Sequence, residues 1–420
     1  MCMETTIKHK NSKVWHISSM YLLATCLGFL SAYSGFGWLQ TFASAIAEIF
    51  MNIFKFISLP IIGLSIIVTF AHLSSDSGMN KIWQRTLLYT LSTTVIAAAV
   101  ACILFLLVKP NNIGSIVSMP SSAVDTGHGF LKHIINIFPN NIVTPFLEHN
   151  VLSVLLVAIV IGVAIRYISD VKAKNTVNLF FKGLHSILLV ITSWIIKIMP
   201  LGLFGFISVT ITEIRGGVDI KGLGAYLSII VLANLVQGFI VLPVWLYLNK
   251  IKPFKTMYGM LPALSVAFFS KSSAGTLPIT MQSAENNVGI NSKISRFVLP
   301  LCTTINMNGC AAFIFVTVIY LMQNHGIEIT GLTMATWIIV ATIAAIGNAG
   351  VPMGCFFLSA SLLSSMNVPI TLLGIILPFY GLIDMLETSL NVWSDACVAI
   401  VVNEKELAVA GATGLGQPAT

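Results

Sequence analysis

The sequence predicts an all-α polytopic membrane protein of eight transmembrane helices and two re-entrant helical hairpins, arranged as inverted repeats in a single membrane domain spanning 1–420. Three observations carry this. Of 420 residues, 56% are hydrophobic and 9% charged, against roughly 25% charged in a soluble domain. A water-soluble fold of this size cannot hide so much apolar surface, because much of any folded surface faces solvent. Apolar runs long enough for a bilayer, about 20 residues each, recur along the chain. Two further apolar segments are interrupted by Gly, Ser and Pro, where a spanning helix would be continuous.

The first six runs fall near 17–37, 42–70, 86–108, 150–168, 176–198 and 223–248. The N-terminal run follows basic residues but is too long for a signal-peptide core, so it reads as an uncleaved span. Between the third and fourth runs, Asn111 to Asn141 is rich in Ser, Gly, Pro and Asn. It reads as an external loop with an amphipathic piece at His133–Phe138. Pro200, with Gly202 and Gly205, predicts a kink or break after the fifth run, because an interior proline removes a backbone hydrogen bond.

The net charge is +7, but the basic residues form no patch of the kind nucleic acid requires. They sit in alternate short loops: Lys8, Lys10 and Lys13; Lys81 and Arg85; Arg166, Lys172 and Lys174; Lys250, Lys252 and Lys255. The other loops hold Lys109, then Arg215 and Lys221 offset by Glu213 and Asp219. This positive-inside bias places the N-terminus in the cytoplasm, and an even number of spans returns the C-terminus there. Seven cysteines (Cys2, Cys26, Cys102, Cys302, Cys310, Cys355 and Cys397) are scattered without CxxC spacing. They read as small hydrophobes rather than disulfides or a metal site.

After Lys255 the pattern changes. Met260 to Ser270 is too short to cross a bilayer and runs into Ser270-Lys271-Ser272-Ser273-Ala274-Gly275-Thr276. A second interrupted segment, Trp337 to Pro369, breaks at Gly347-Asn348-Ala349-Gly350-Val351-Pro352. Each is followed by a longer apolar segment, 297–322 and 371–402. Paired, Gly/Pro-interrupted segments in corresponding positions point to a transport site at the membrane midplane.

Ionisable groups inside spans are costly and mark function. In 384–395, at about 100° per residue, Thr388, Asn391 and Asp395 lie within about 40° of Asp384, with Glu387 about 60° to one side. Polar residues can simply bind helices together. Here three acidic groups share twelve residues with no Lys or Arg on the run to pair them, so a cation is expected at this face. Thr303-Thr304-Ile305-Asn306-Met307-Asn308-Gly309 is its companion. Gly309 favours local unwinding, and the asparagine oxygens suit a hard cation. Ser272 to Gly275 offers amides and hydroxyls to a carboxylate.

These motifs (Ser272 to Pro278, Asn306-Met307-Asn308-Gly309, Ala349-Gly350-Val351-Pro352, and Asp384, Thr388, Asn391 and Asp395 in register) resemble the dicarboxylate/amino acid:cation symporters, the glutamate-transporter homologues. Lys55, Pro60 and Pro200 to Phe204 agree more loosely. The resemblance implies an elevator-type homotrimer in the bacterial inner membrane. Its scaffold would lie mainly in 15–75 and 130–215, and its transport core mainly in 80–108 and 220–403. It implies an amino acid held by Ser272, Ser273, Cys310, Gly350, Asp384, Glu387, Thr388 and Asn391. Asp384 would take the amine; Asn391 and the Ser273 backbone would take the α-carboxylate. Sodium ions would be held by Asp395 with Cys302, Asn306 and Asn391; by Thr304 with Ala345, Ile346 and Asn348; and by Tyr89, Ser92, Thr93, Asn306 and Asn308.

The departures shape the substrate expectation. Glu387 replaces an arginine that acidic-substrate members have, Cys310 a threonine, Asn308 an aspartate, and Tyr380 another aspartate. A carboxylate set against an acidic side chain repels it, so a neutral polar or cationic amino acid is expected. Proton-coupled acidic or dicarboxylate symport is the alternative, and a passive channel the rival from another class. An enzyme is not expected: Asp384 and Asp395 are eleven residues apart on one helix, about 16 Å by rise, too far for an aspartyl dyad.

Overall fold

The computed structural model describes residues 20, 23–71, 80–112, 138–147, 151–215, 221–348, 350, 353–366, 368 and 371–412. Both termini, most of the His133–Phe138 piece, and Ala349, Val351 and Pro352 lie outside these, as does the side chain of Lys55. Among the described residues every regular element is helical. In chain order these are α1 (Leu23–Tyr33), α2 (Gly37–Ala71), α3 (Asn80–Val108), the single turn α4 (Thr144–Leu147), α5 (Val151–Arg166) and α6 (Val171–Arg215). Next come α7 (Lys221–Val236) and α8 (Leu242–Leu248), joined through a π-helical turn at Gln237–Val241. The remainder are α9 (Pro253–Ser270), α10 (Ser273–Ser283), α11 (Ser292–Ile305), α12 (Asn308–Asn324), α13 (Gly331–Ile346), α14 (Gly354–Ser365) and α15 (Thr371–Ala412).

Both interrupted segments are helical hairpins. Pro253 begins α9 at a position where a missing N–H costs nothing. Lys271 ends it in the left-handed conformation, φ +55°. Ser272 then caps α10, its Oγ accepting the Gly275 N–H at 3.0 Å. In the second hairpin Thr330 caps α13, accepting the Thr333 N–H at 3.1 Å. The apolar run 297–322 is two helices: the chain leaves helical geometry at Asn306 and Met307, between α11 and α12.

Helix α12 is the centre of the fold. Every residue from Asn308 to Met322 is buried, as expected of a helix that is apolar all round. Helices α3, α7, α13, α14 and α15 surround it. Helix α2 packs most closely against α5 and α6, and this layer meets the rest through α14 and α15 in one continuous apolar core. Small residues permit close crossings there: a Cβ at Gly205 would lie 2.7 Å from the Ala43 carbonyl, and one at Gly162 2.8 Å from the Phe70 side chain. Large apolar side chains such as Leu107, Leu179, Trp194, Tyr247 and Leu382 point outward, exposed, a surface that only lipid satisfies. Among the described residues, five helices are long and apolar enough to span a bilayer, and shorter apolar helices accompany them. The chain is a multi-pass membrane protein.

Three sequence expectations need correction. Helix α6 runs without a break from Val171 to Arg215 through Pro200: the proline removes one hydrogen bond, and the flanking ones carry the helix on. Helix α15 extends past residue 402, so it does carry a basic residue, Lys405. Lys405 is exposed and about 15 Å by rise from Asp395, too far to pair with it. Cys310 and Cys355 are paired despite their 45-residue separation, their Cα atoms 5.4 Å apart and within disulfide reach, because the second hairpin folds back against the start of α12. Neither the spacing of these cysteines nor their apolar neighbours signals that return.

The α2–α6 crossing gives a direct test. Gly205→Val should lower stability by about 1–3 kcal/mol, the usual cost of overpacking a close crossing. This would be read as a reduced thermal midpoint of the detergent-solubilised protein; an unchanged midpoint would show that the helices separate without cost.

Candidate functional site

The site forms where the break between α11 and α12 faces α15. Gly309 makes that meeting possible: a Cβ there would lie 2.8 Å from Glu387 Cα and 2.9 Å from Asn234 Oδ1. The Gly309 N–H, left free at the start of α12, donates to Asn391 Oδ1 at 2.8 Å. One polar side chain of α15 thereby satisfies a helix end that lies at the centre of the protein.

The two asparagines form a buried amide network. Asn306 Nδ2 donates to Asp395 Oδ1 at 3.0 Å and Ser394 Oγ at 2.9 Å. Asn308 Nδ2 donates to Ser394 Oγ at 2.7 Å. Their oxygens accept from α3, Asn306 from Thr93 at 3.1 Å and Asn308 from Thr94 at 2.9 Å. Thr303 Oγ1 is 3.5 Å from Asp395 Oδ2. Among the described residues Asp395 has no ion-pair partner, and its surroundings are dense in oxygen.

Not every expected ion ligand joins this cluster. Ser92 is exposed, and its hydroxyl returns to the Leu88 carbonyl; Thr94 occupies the inner position instead. Tyr89 packs edge-on against Trp245, with ring centroids 5.5 Å apart. Thr304 donates to the Leu301 carbonyl at 2.8 Å. Asn348 turns its amide into sulfur, 2.9 Å from Cys310 Sγ and 3.4 Å from Cys355 Sγ. Cys302 is buried, and its carbonyl accepts the Asn306 N–H at 2.8 Å.

The expected substrate residues do converge. Ser272 Oγ donates to the Gly350 carbonyl at 3.2 Å, joining the two hairpin tips. Gly350 has φ +63°, and a Cβ there would lie 2.9 Å from the Thr303 carbonyl and 3.3 Å from Ser273 Cβ. Asp384, buried, accepts the Met353 N–H at 3.1 Å. Thr388 Oγ1 donates to the Asp384 carbonyl at 2.7 Å. Asn391 Nδ2 faces Met307 Sδ and Cys310 Sγ at 3.5 and 3.4 Å. Glu387 is 1% exposed; its Oε2 accepts from Tyr380 at 3.4 Å, and its Oε1 has no partner. Lys271 does not neutralise it. The Lys271 Nζ lies at the Gly381 face of α15, and no described ion pair joins it to Glu387.

The family model described as the sodium:dicarboxylate symporter family matches residues 17–405. The chain belongs to this family. Its relatives include neutral amino acid transporter B(0) of Oryctolagus cuniculus, 29% identical over 388 residues, covering 83% of this chain and 71% of the relative. Neutral amino acid transporter A of Homo sapiens is 27% identical over 406 residues, covering 86% of this chain and 76% of the relative. Within this symporter-family chain, the sequence reading missed four participants: Thr94, Ser394, Cys355 and Tyr380 as a donor. Ser394 lies about 80° off the Asp384 stripe, so helical periodicity excludes it. Gln237 was missed too; it sits in the π-helical turn and donates to the Thr93 carbonyl at 3.1 Å, fixing the α3 wall of the site.

The tip contact generates a prediction. Gly350→Ala should lower stability by about 1–2 kcal/mol for the left-handed backbone alone. Gly350→Asn tolerates that backbone but keeps the Cβ against Thr303, so it should rescue only part of the loss. A full rescue in thermal melts would show that φ, and not the tip contact, sets the requirement.

Proposed function

We propose that this chain is a sodium-coupled symporter of an amino acid, neutral polar or cationic rather than acidic. The observation that carries this reading is the buried, half-partnered Glu387 carboxylate, with Cys310, Asn348 and Tyr380 about it. An unpaired carboxylate in a dry site carries a large desolvation cost, so a substrate that donates to it is favoured and one that repels it is rejected. The names of the relatives, neutral amino acid transporters A and B(0), favour the neutral polar class of the two.

The roles are those the family resemblance implies, and the contacts leave room for them. Asp384 takes the substrate amine in exchange for the Met353 N–H. Asn391 keeps its oxygen on Gly309 and turns its free amide to the α-carboxylate, aided by the Ser273 backbone. Sodium takes oxygens from Asp395, Asn306 and the residues about them; hard cations prefer such a set. The scaffold lies mainly in 15–75 and 130–215, where α2 packs most closely against α5 and α6. The transport core, mainly in 80–108 and 220–403, then moves as an elevator within a homotrimer in the bacterial inner membrane, both termini cytoplasmic.

Purified protein in liposomes, screened for counterflow of labelled amino acids with and without a sodium gradient, tests the whole reading. Uptake driven by pH and indifferent to sodium would replace it with proton symport, and conductance without coupled uptake would replace it with a channel. Asp395→Asn should raise the sodium concentration for half-maximal uptake by about tenfold or more, the loss of one charge-assisted contact of about 1.5–3 kcal/mol. An unchanged sodium dependence would make Asp395 structural only. Glu387→Arg should abolish native uptake and admit acidic substrates. Tight aspartate binding by the unsubstituted protein would refute this account of the pocket.

A further inference from the structure

Cys310 and Cys355 stand in matching places. Cys310 lies in the first turn of α12, directly after the helix break, and Cys355 in the first turn of α14, directly after the second hairpin tip. They are 2% and 1% exposed. Their Cα atoms are 5.4 Å apart, a span that a disulfide can bridge. Both sulfurs and a Glu387 carboxylate oxygen lie within 4.8 Å of one another. The amides of Asn348 and Asn391 point at the Cys310 sulfur. The pair therefore joins the innermost helix of the fold to an arm of the second hairpin, at the wall Glu387 faces.

We propose that Cys310 and Cys355 are a redox-modifiable pair that locks the second hairpin against the substrate pocket, with a low-molecular-weight disulfide as the oxidant. One protein thiolate attacks a sulfur of the small disulfide, forming a mixed disulfide and releasing one small thiol. The second protein thiolate attacks the protein sulfur of that mixed disulfide, closing the Cys310–Cys355 bond and releasing the second small thiol. Two protein thiols are oxidised, one small disulfide is reduced to two thiols, and the two thiol protons pass to the products. A reducing dithiol reverses both steps. The covalent tie fixes α14 to α12, so the hairpin cannot lift and the wall beside Glu387 cannot reshape around a side chain. The consequence for transport rests on the proposed symport; the pairing does not.

Two readouts test it on the full chain in liposomes, treated with dithiothreitol or with oxidised glutathione. Peptide mapping after alkylation should find the Cys310 and Cys355 peptides linked in the oxidised sample and separate in the reduced one. Uptake should follow the unlinked fraction, falling about tenfold when about nine-tenths is linked, and dithiothreitol should restore it. Cys355→Ser should make uptake indifferent to oxidised glutathione. Absence of the linked peptide, full uptake by linked protein, or equal sensitivity in Cys355→Ser would each overturn the proposal. If the reduced protein transports no amino acid, symport fails as the function, and the linked peptide still decides the pairing.

Discussion

The meeting of α12 and α15 at Gly309 is the contact on which the site depends. A spanning helix interrupted at the protein centre leaves amides and carbonyls with no water to satisfy them, and each unsatisfied group there costs several kcal/mol. Asn391 accepts the freed Gly309 amide, and Asn306 and Asn308 spread the remaining polarity to Ser394, Asp395 and α3. Only glycine allows the backbone of α15 close enough for this. The same approach brings Glu387, Asp384 and Asp395 to the break. Any side chain at residue 309 would move all three carboxylates away from the asparagines at once.

What was legible in the sequence was what depends on local pattern. The apolar runs marked apolar helices, the Gly/Pro interruptions marked the breaks between α9 and α10 and between α13 and α14, and the 3.6-residue period placed Asp384, Thr388, Asn391 and Asp395 on one stripe. What was not legible depends on contacts distant in sequence. Thr94 replaces Ser92 at the inner face of α3 because of how α3 packs against α12, and rotation about a helix axis is not written in an apolar run. Cys355 meets Cys310 because the second hairpin returns to the core. Pro200 shows the opposite failure: a strong local signal for a break is overruled by the continuous helix on either side of it.

The buried groups divide into two kinds. The asparagine, serine and threonine cluster around Asp395 is closed: nearly every donor has an acceptor. The neighbourhood of Glu387 is open, with unpartnered oxygens on Glu387 and Asn348 beside sulfur, which is a weak acceptor. Buried polar groups are normally satisfied. A site that leaves oxygens of Glu387 and Asn348 bare, with Asn234 Oδ1 bare beside the Gly309 crossing, is arranged for an incoming donor.

Helix α10 has a consequence for how the protein is made. Its sequence, from Ser273 to Ser283, holds four hydroxyl residues, a glycine and a proline. Such a segment gains little from lipid, and its broken backbone would suffer there. In the finished protein it is shielded by α9, α11 and α15, yet α15 is synthesised about ninety residues later. During biosynthesis the first hairpin must therefore wait, at the membrane surface or inside the insertion machinery, until α15 arrives. Truncation before α15 would strand it there, so the folding of a nascent chain is decided by a helix far downstream of the segment at risk.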